Sequence, residues 1–142
     1  MSAIVVYASS GAKAGRDAST LDGLLDRNGT DIAVVHCSTV DAVLKLVSVG
    51  LVVAVITSVD VSPGDVFSRN RHPAPDQCGA ELIDHLRELH PSVMCMLYAH
   101  ATSKSQDAIA RHVAVGLAYF DPEVTPLFAI AEHLMFVLSP VC

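Results

Sequence analysis

The sequence has little positive charge. Lysine and arginine together number 9 against 15 aspartates and glutamates, which gives a formal net charge of −6 at pH 7 with histidine neutral. Nucleic-acid binding through phosphate contacts needs a basic face, and the only basic cluster here is the short group Arg69, Arg71 and His72. We therefore expect no nucleic-acid contact by this chain.

No apolar run is long enough to cross a membrane. The longest uncharged apolar stretch covers residues 46–59 and is interrupted by Gly50, whereas a spanning helix needs about 20 apolar residues. The first residues also lack the basic segment that begins a secretory signal peptide. These features predict a cytoplasmic protein that makes no membrane contact.

Patterns that hold metals, disulfides or activated nucleophiles are also missing. The 4 cysteines are widely scattered without a C-x-x-C pair, and a disulfide framework is not expected in a cytosolic domain of this size. The 7 histidines include no H-x-x-x-H pair, the spacing that places two zinc ligands on one helix face. No serine or cysteine is tied by its sequence context to an activating base. We expect no metal, no cofactor and no enzymatic activity.

The chain does contain a β-branched run that predicts a central strand. Residues 51–59 are uncharged and show no polar alternation, which is typical of a strand buried on both faces of a parallel sheet. Further strands are predicted at 3–8, 31–37, 93–98 and 117–120. Helices are predicted at 16–27, from a cap at Ser38 or Thr39 to Gly50, at 80–89, at 105–115 and at 125–138.

This alternation predicts an α/β three-layer sandwich, with helices on both faces of a five-stranded parallel sheet. Five strands connected in this way usually take the flavodoxin-like order 2-1-3-4-5, in which strand three is central. The 142 residues are expected to form a single domain. Residues 60–79, which contain prolines and glycines and lack apolar periodicity, are predicted to be a long loop inserted into that domain.

Several segments resemble the receiver domains of two-component signalling, which have the CheY-like form of this fold. The resemblance spans nearly the whole chain, from I-V-V at 4–6 through D-V-S-P-G at 60–64 to G-L-A-Y-F-D-P at 116–122. The strongest part is 79–97, which is similar to the family's G-x-E-L-I-x-x-L-R…P-x-V run. The resemblance implies a response-regulator receiver domain over residues 1–142, either alone or as the N-terminal module of a longer protein.

The positions that give receivers their phosphorylation chemistry differ in this sequence. Receivers hold Mg²⁺ with two acidic residues after strand one, and the resemblance places Tyr7 and Ala8 there. This pair does not supply the carboxylate oxygens that a hard cation requires. The family's switch Ser/Thr falls at Tyr98 or Ala99, and its lysine before a proline falls at Asp121.

The sequence leaves the phospho-accepting residue open. Asp60 fits the D-x-x-P-G context, but the length of the strand equally allows Thr57 or Ser58 at that site. Phosphoryl transfer depends on metal and cation positioning, so the resemblance indicates a pseudo-receiver, a non-catalytic signalling domain that is not phosphorylated. A true receiver phosphorylated at Asp60 is kept as an alternative. The degenerate phospho-pocket then consists of Tyr7, Ala8, Thr57, Asp60, Ala99 and Asp121.

The turn after strand one supports a second alternative. Ser9, Ser10 and Gly11, followed by Lys13, weakly resemble the phosphate loop of flavodoxins. In that loop, backbone N–H groups and a helix N-terminus hold the FMN phosphate. The Thr-Gly-Asn-Thr core of the loop is missing, and the chain has no tryptophan to stack on a flavin. An FMN- or phosphate-binding protein is therefore the enzyme-class alternative.

The last predicted helix is apolar almost all round. Only Glu132 and His133 are polar between residues 127 and 138, and such a helix must be covered on both sides. The sheet covers one side, and an exposed remainder would mark an interaction site. The resemblance points to the same surface, because receivers commonly pair or bind partners there. We expect a protein partner or a homodimer contact through Leu127, Phe128, Leu134, Met135 and Phe136.

Overall fold

The computed structural model describes residues 3–27, 29, 31–58, 61–71, 78–98 and 118–138. Its strands are β1 (Ala3–Ala8), β2 (Ile32–Cys37), β3 (Val52–Thr57), β4 (Met94–Tyr98) and β5 (Ala118–Phe120). Its helices are α1 (Ala14–Arg27), α2 (Val40–Ser48), α3 (Asp65–Arg71), α4 (Cys78–Leu89) and α5 (Leu127–Leu138). The helix predicted at 105–115 lies outside the described residues.

The five strands form one parallel sheet in the order β2-β1-β3-β4-β5, so the predicted flavodoxin-like architecture is confirmed. Strand β3 is central, as the uncharged β-branched run indicated. The register aligns Ala8 with Thr57 and Thr57 with Leu97. The carboxyl ends of β1, β3 and β4 therefore meet at one edge of the sheet.

The side chains of each strand alternate between two apolar layers. Val5 and Tyr7 of β1 lie in a cluster with α1 and α5, whereas Val6 and Ala8 lie in a second cluster with α2, α3 and α4. Fully burying one leucine or isoleucine side chain contributes about 1.5–3 kcal/mol. The two layers therefore account for most of the favourable free energy of folding. The leucine and isoleucine side chains that are fully buried in the first layer are Leu21, Leu25, Ile56, Ile130 and Leu134.

Helix α2 begins and ends where its sequence signals predict. Thr39 has extended backbone angles and its hydroxyl accepts a hydrogen bond from Ala42 N at 3.2 Å, so Thr39 rather than Ser38 is the cap. Such a cap stabilises a helix by about 1 kcal/mol. After the helix, Gly50 takes a φ of 90°, a left-handed conformation that glycine adopts without a Cβ clash.

The segment 60–79 is not a loop throughout, and that prediction is wrong for residues 65–71. These residues form α3, and α4 begins at Cys78 rather than at residue 80. The carboxylate of Asp41, in the first turn of α2, accepts hydrogen bonds from Val66 N and Phe67 N, each at 2.9 Å. A cap supplied by another helix leaves no local sequence signal. Residues 59, 60 and 72–77 lie outside the described part of the chain.

No helix within the described ranges is both long enough and apolar enough to span a membrane.

Candidate functional site at the carboxyl edge of the sheet

In open parallel sheets, ligands bind at the carboxyl ends of the strands. Four of the six residues predicted for the degenerate phospho-pocket, Tyr7, Ala8, Thr57 and Asp121, are described and lie at this edge. The other two, Asp60 and Ala99, lie outside the described residues. The site can therefore be built from β1, β3, β4 and the turn after β5.

Tyr7, near the end of β1, is a buried tyrosine whose hydroxyl already has a hydrogen-bond partner. Only 6% of the residue is exposed, and its hydroxyl donates a hydrogen bond to the carboxylate of Asp17 in the first turn of α1. Burial, with smaller contributions from Asp17 and Tyr98, raises the pKa of Tyr7 well above that of an ordinary phenol. Tyr7 is therefore a neutral donor at physiological pH and not an anionic oxygen ligand.

Tyr98, the last residue of β4, makes the equivalent connection on the other side of β3. It is 7% exposed, and its hydroxyl donates to the carbonyl oxygen of Thr125 at 2.8 Å. Burial first, and then the charges of Asp17 and Asp121, raise the pKa of this phenol as well. The two tyrosines and these two carboxylates thus form one electrostatically coupled group.

Asp121 begins the turn that leads to α5. Its carbonyl accepts from Val124 N at 3.0 Å and from Thr125 N at 2.8 Å, and its carboxylate accepts from Glu123 N at 2.9 Å. Asx-type bonds of this kind are a common turn role for aspartate. At the position where the resemblance calls for a lysine, the structure therefore places a negative charge engaged in a turn.

Between the tyrosines, the end of β3 carries buried hydroxyl groups. Thr57 is fully buried and its hydroxyl donates to Ser58 O at 2.9 Å, while Ser58 N donates to Ala8 O at 3.0 Å. Among the described side chains, Ser58 Oγ is the one buried polar atom that has no hydrogen-bond partner. Leaving such a group unpaired costs about 1–3 kcal/mol. This serine was one of the three residues left open for the phosphorylated position.

The turn after β1 uses its hydroxyls to join neighbouring loops. Ser10 Oγ donates to Ser38 O at 2.8 Å and accepts from Ser62 N at 2.7 Å, which connects the segments after β1, β2 and β3. Ser9 Oγ accepts from Gly11 N at 3.2 Å. The hydroxyls of Ser9 and Ser10 and the N–H of Gly11 are thus already hydrogen-bonded within the protein. Sequence reasoning missed this role because Ser62 is far along the chain.

Metal binding and thiol reactivity depend on how the histidine, cysteine and acidic side chains are arranged and buried. Within the described ranges, no group of three or more histidine, cysteine, aspartate or glutamate side chains is arranged to hold a metal ion. Burial raises the pKa of Cys37, and it raises the pKa of Cys78 and of Cys95 to about 11. These thiols are protonated at neutral pH, and the reactive species of cysteine is the thiolate.

The predicted interface on the last helix separates into two faces. Leu134 is completely buried in the core against α1, so the prediction is wrong for this residue. Leu127 and Met135 are half-buried against the same core. Phe128 and Phe136 are 56% and 83% exposed. A helix that is apolar all round does not reveal from sequence alone which side the sheet will cover.

Comparison with solved structures finds response regulators and receiver domains. A response regulator from Thermotoga maritima matches with a TM-score of 0.67 and 14% identity over 99% of this chain and 100% of its own. The non-phosphorylated HemR receiver domain from Leptospira biflexa matches with a TM-score of 0.66 and 15% identity, over 99% of this chain and 97% of its own. This chain has the fold of a receiver domain.

The orphan response regulator HP1043 of H. pylori has the same fold, with a TM-score of 0.66 and 13% identity over 96% of this chain and 97% of its own. No family model matches the sequence, and no curated protein matches it. At these identities the likeness concerns the arrangement of the backbone and does not extend to the chemistry of the sheet edge.

Proposed function

We propose that this chain is a receiver-like signalling domain that acts through protein–protein contact, without phosphorylation and without an enzymatic activity of its own. The observation that carries the proposal is Tyr7, a buried phenol whose hydroxyl is bonded to Asp17. It stands where the resemblance requires the first of two acidic residues. The next residue, Ala8, has no side-chain oxygen to replace the second.

The charges at the edge support the same conclusion. Transfer of a phosphoryl group to a carboxylate needs a metal ion and a cation to neutralise the developing negative charge. Asp121 has a carboxylate where the resemblance places the receiver lysine, and its charge reaches the edge, since it contributes to raising the pKa of Tyr98. A negative charge at the edge opposes the formation of a phosphoryl group there, because like charges repel.

The hydrogen bonds of the two tyrosines support a domain whose sheet edge keeps a single conformation. Tyr7 joins β1 to α1, and Tyr98 joins β4 to the turn before α5. Both bonds are made by almost fully buried groups, where a lost hydrogen bond is costly. A domain held in this way presents a constant surface to a partner rather than a surface that changes on phosphorylation.

The exposed side of α5 supports a contact with a protein partner or with a second copy of the chain. Phe128 and Phe136 are two aromatic side chains in solvent, eight residues apart on the helix. Exposed aromatic residues are enriched where proteins associate. Light scattering during size exclusion would test the homodimer: we expect a dimer for the native protein and a monomer for Phe136→Ser.

The phosphorylation part of the proposal is tested with acetyl phosphate and Mg²⁺, followed by intact mass measurement at neutral pH. We expect no phosphoryl adduct on the native protein or on Asp60→Asn, while an active receiver domain treated in parallel is modified. An adduct on the native protein that disappears in Asp60→Asn would establish the alternative of a true receiver and end the proposal.

The FMN alternative has its own readout. We expect a colourless preparation whose melting temperature does not rise with added FMN, because the serine hydroxyls of the turn already have partners. A saturable increase in melting temperature that is lost in Ser10→Ala would instead favour a phosphate-ligand protein.

A further inference from the structure

An open groove of about 560 Å³ lies between α2 and α3. Its volume falls in the range of about 300–1,000 Å³ that small-molecule sites occupy, and none of the described phospho-pocket residues lines it. The groove is mostly apolar. It is lined by Asp41, Ala42, Leu44, Lys45, Ser48 and Val66.

The α3 wall of the groove is fixed in place. Besides its two bonds to Val66 N and Phe67 N, the Asp41 residue donates its own N–H to Pro63 O at 3.2 Å. Phe67 is 3% exposed, and its ring meets the ring of His85 on α4 edge to face at 6.1 Å. Val66, by contrast, is 53% exposed on the groove. The groove is therefore formed before any ligand arrives.

Lys45 is the groove's uncompensated charge. A lysine four residues after an aspartate on a helix ordinarily pairs with it, but both carboxylate oxygens of Asp41 already accept N–H groups of α3. Lys45 is exposed and forms no ion pair with any described residue. An apolar groove with one free ammonium group thus lies on a protein whose net charge is −6.

We propose that this groove binds a small apolar monocarboxylate, with its hydrocarbon body against Ala42, Leu44 and Val66 and its carboxylate on Lys45. A neutral ligand would leave the ammonium group without a partner. A second negative charge on the ligand would find no second cation in the described lining and would lie near the carboxylate of Asp41. The chemistry of the groove therefore selects one negative charge on an apolar body.

The test uses sodium octanoate as the probe and 1-octanol as its neutral counterpart, each titrated into isotope-labelled protein and followed by amide NMR. We expect octanoate to shift the amide signals of residues 42, 45, 48 and 66 along saturating curves. Because an exposed ion pair contributes at most about 1 kcal/mol, octanol should bind about fivefold more weakly at the same place.

Two variants separate the roles of charge and apolar wall. Lys45→Gln should lower the affinity for octanoate about fivefold and leave octanol binding unchanged. Arg27→Gln, which removes an exposed cation at the end of α1, is its matched control and should change neither. Val66→Ser should weaken both ligands, while Val124→Ser, at a valine that is 81% exposed elsewhere, should weaken neither.

Equal affinities for octanoate and octanol in the native protein would overturn the proposal, because the lysine would then contribute nothing. Shifts that fail to saturate, or that concentrate on α5 around Phe128 and Phe136, would overturn it too. None of these readouts depends on phosphorylation or dimerisation, so this site and the proposed signalling function stand or fall separately.

Discussion

The helices on the two faces of the sheet are held in place by different chemistry. On the face covered by α1 and α5, two neutral tyrosine hydroxyls donate to Asp17 and to the carbonyl of Thr125. On the face covered by α2, α3 and α4, one ionised side chain, Asp41, accepts two backbone N–H groups of α3. Hydrogen bonds to a charged group are roughly twice as strong as neutral ones. Both of these charged hydrogen bonds to α3 thus depend on a single carboxylate.

This contrast bears on function. The tyrosine face carries Tyr7 and Tyr98, and large buried side chains of α1 and α5 pack beneath them. The α3 face carries the groove, whose second wall is a helix of 7 residues. An isolated helix of that length is not stable in water, so α3 exists because of Asp41 and Phe67.

The largest effect is expected from the core under α5. Leu134→Ala removes a fully buried side chain and should lower the free energy of unfolding by about 3 kcal/mol through lost burial and a new cavity. Phe136→Ala, two residues on, should change the stability of the monomer by less than about 0.5 kcal/mol, because this residue is 83% exposed in the single chain. Urea denaturation measures both. Similar losses for the two variants would mean that α5 packs through a different face.

Removing the Asp41 carboxylate tests the other face. Asp41→Ala should cost about 2 kcal/mol, since two N–H groups at the start of α3 lose a charged acceptor. It should also speed alkylation of Cys78, which is 1% exposed in the same cluster as Phe67. Cys37, in that cluster but at the end of β2, is the internal control and should react at an unchanged rate. Mass-mapped iodoacetamide labelling gives both rates, and equal acceleration would indicate global rather than local opening.

Gly64→Ala, just before α3, disturbs the same contact without removing the Asp41 carboxylate. The φ of Gly64 is +83°, and an added Cβ would lie 2.5 Å from Asp41 Oδ2. Gly29 has a similar φ of +74° but open space around the same position, so Gly29→Ala reports the backbone strain alone, about 1–2 kcal/mol. We expect Gly64→Ala to be less stable than Gly29→Ala by about 1 kcal/mol, from displacement of the carboxylate. Identical melting temperatures would show that Asp41 moves aside without loss.

Tyr98→Phe tests the tyrosine face with the smallest change of shape. The variant keeps the buried ring and loses only the bond to Thr125 O, which should cost about 1 kcal/mol. Amide exchange should quicken in the turn at 121–125 and remain unchanged in α3. An increase confined to α3 would contradict the assignment of this bond to the α5 side.

The parts of the molecule also differ in how well the sequence predicts them. The strands were predictable because the uncharged β-branched runs, such as 51–59, report burial directly, and Thr39 was predictable as a cap because its partner Ala42 is three residues away. Helix α3 was not, because its cap comes from Asp41, 25 residues earlier. The residues of the edge were predicted from the resemblance, but the bonds of Tyr7 to Asp17 and of Tyr98 to Thr125 depend on how the helices dock.

The last effect is a change in how stability depends on pH, and it appears only in alkali. Burial and Asp17 raise the pKa of Tyr7 in the folded protein above its ordinary value of 10.0. Since the folded state holds this proton more tightly than the unfolded state, its stabilising contribution is complete below pH 10.0 and is lost as the pH rises through the folded pKa. Tyr7→Phe cannot lose this proton, so its stability should fall less steeply with alkali than that of the native protein. Urea denaturation at a series of alkaline pH values gives the slopes, with Tyr98→Phe measured alongside. Parallel profiles for Tyr7→Phe and the native protein would mean that Tyr7 is not the buried donor on which the proposed function rests.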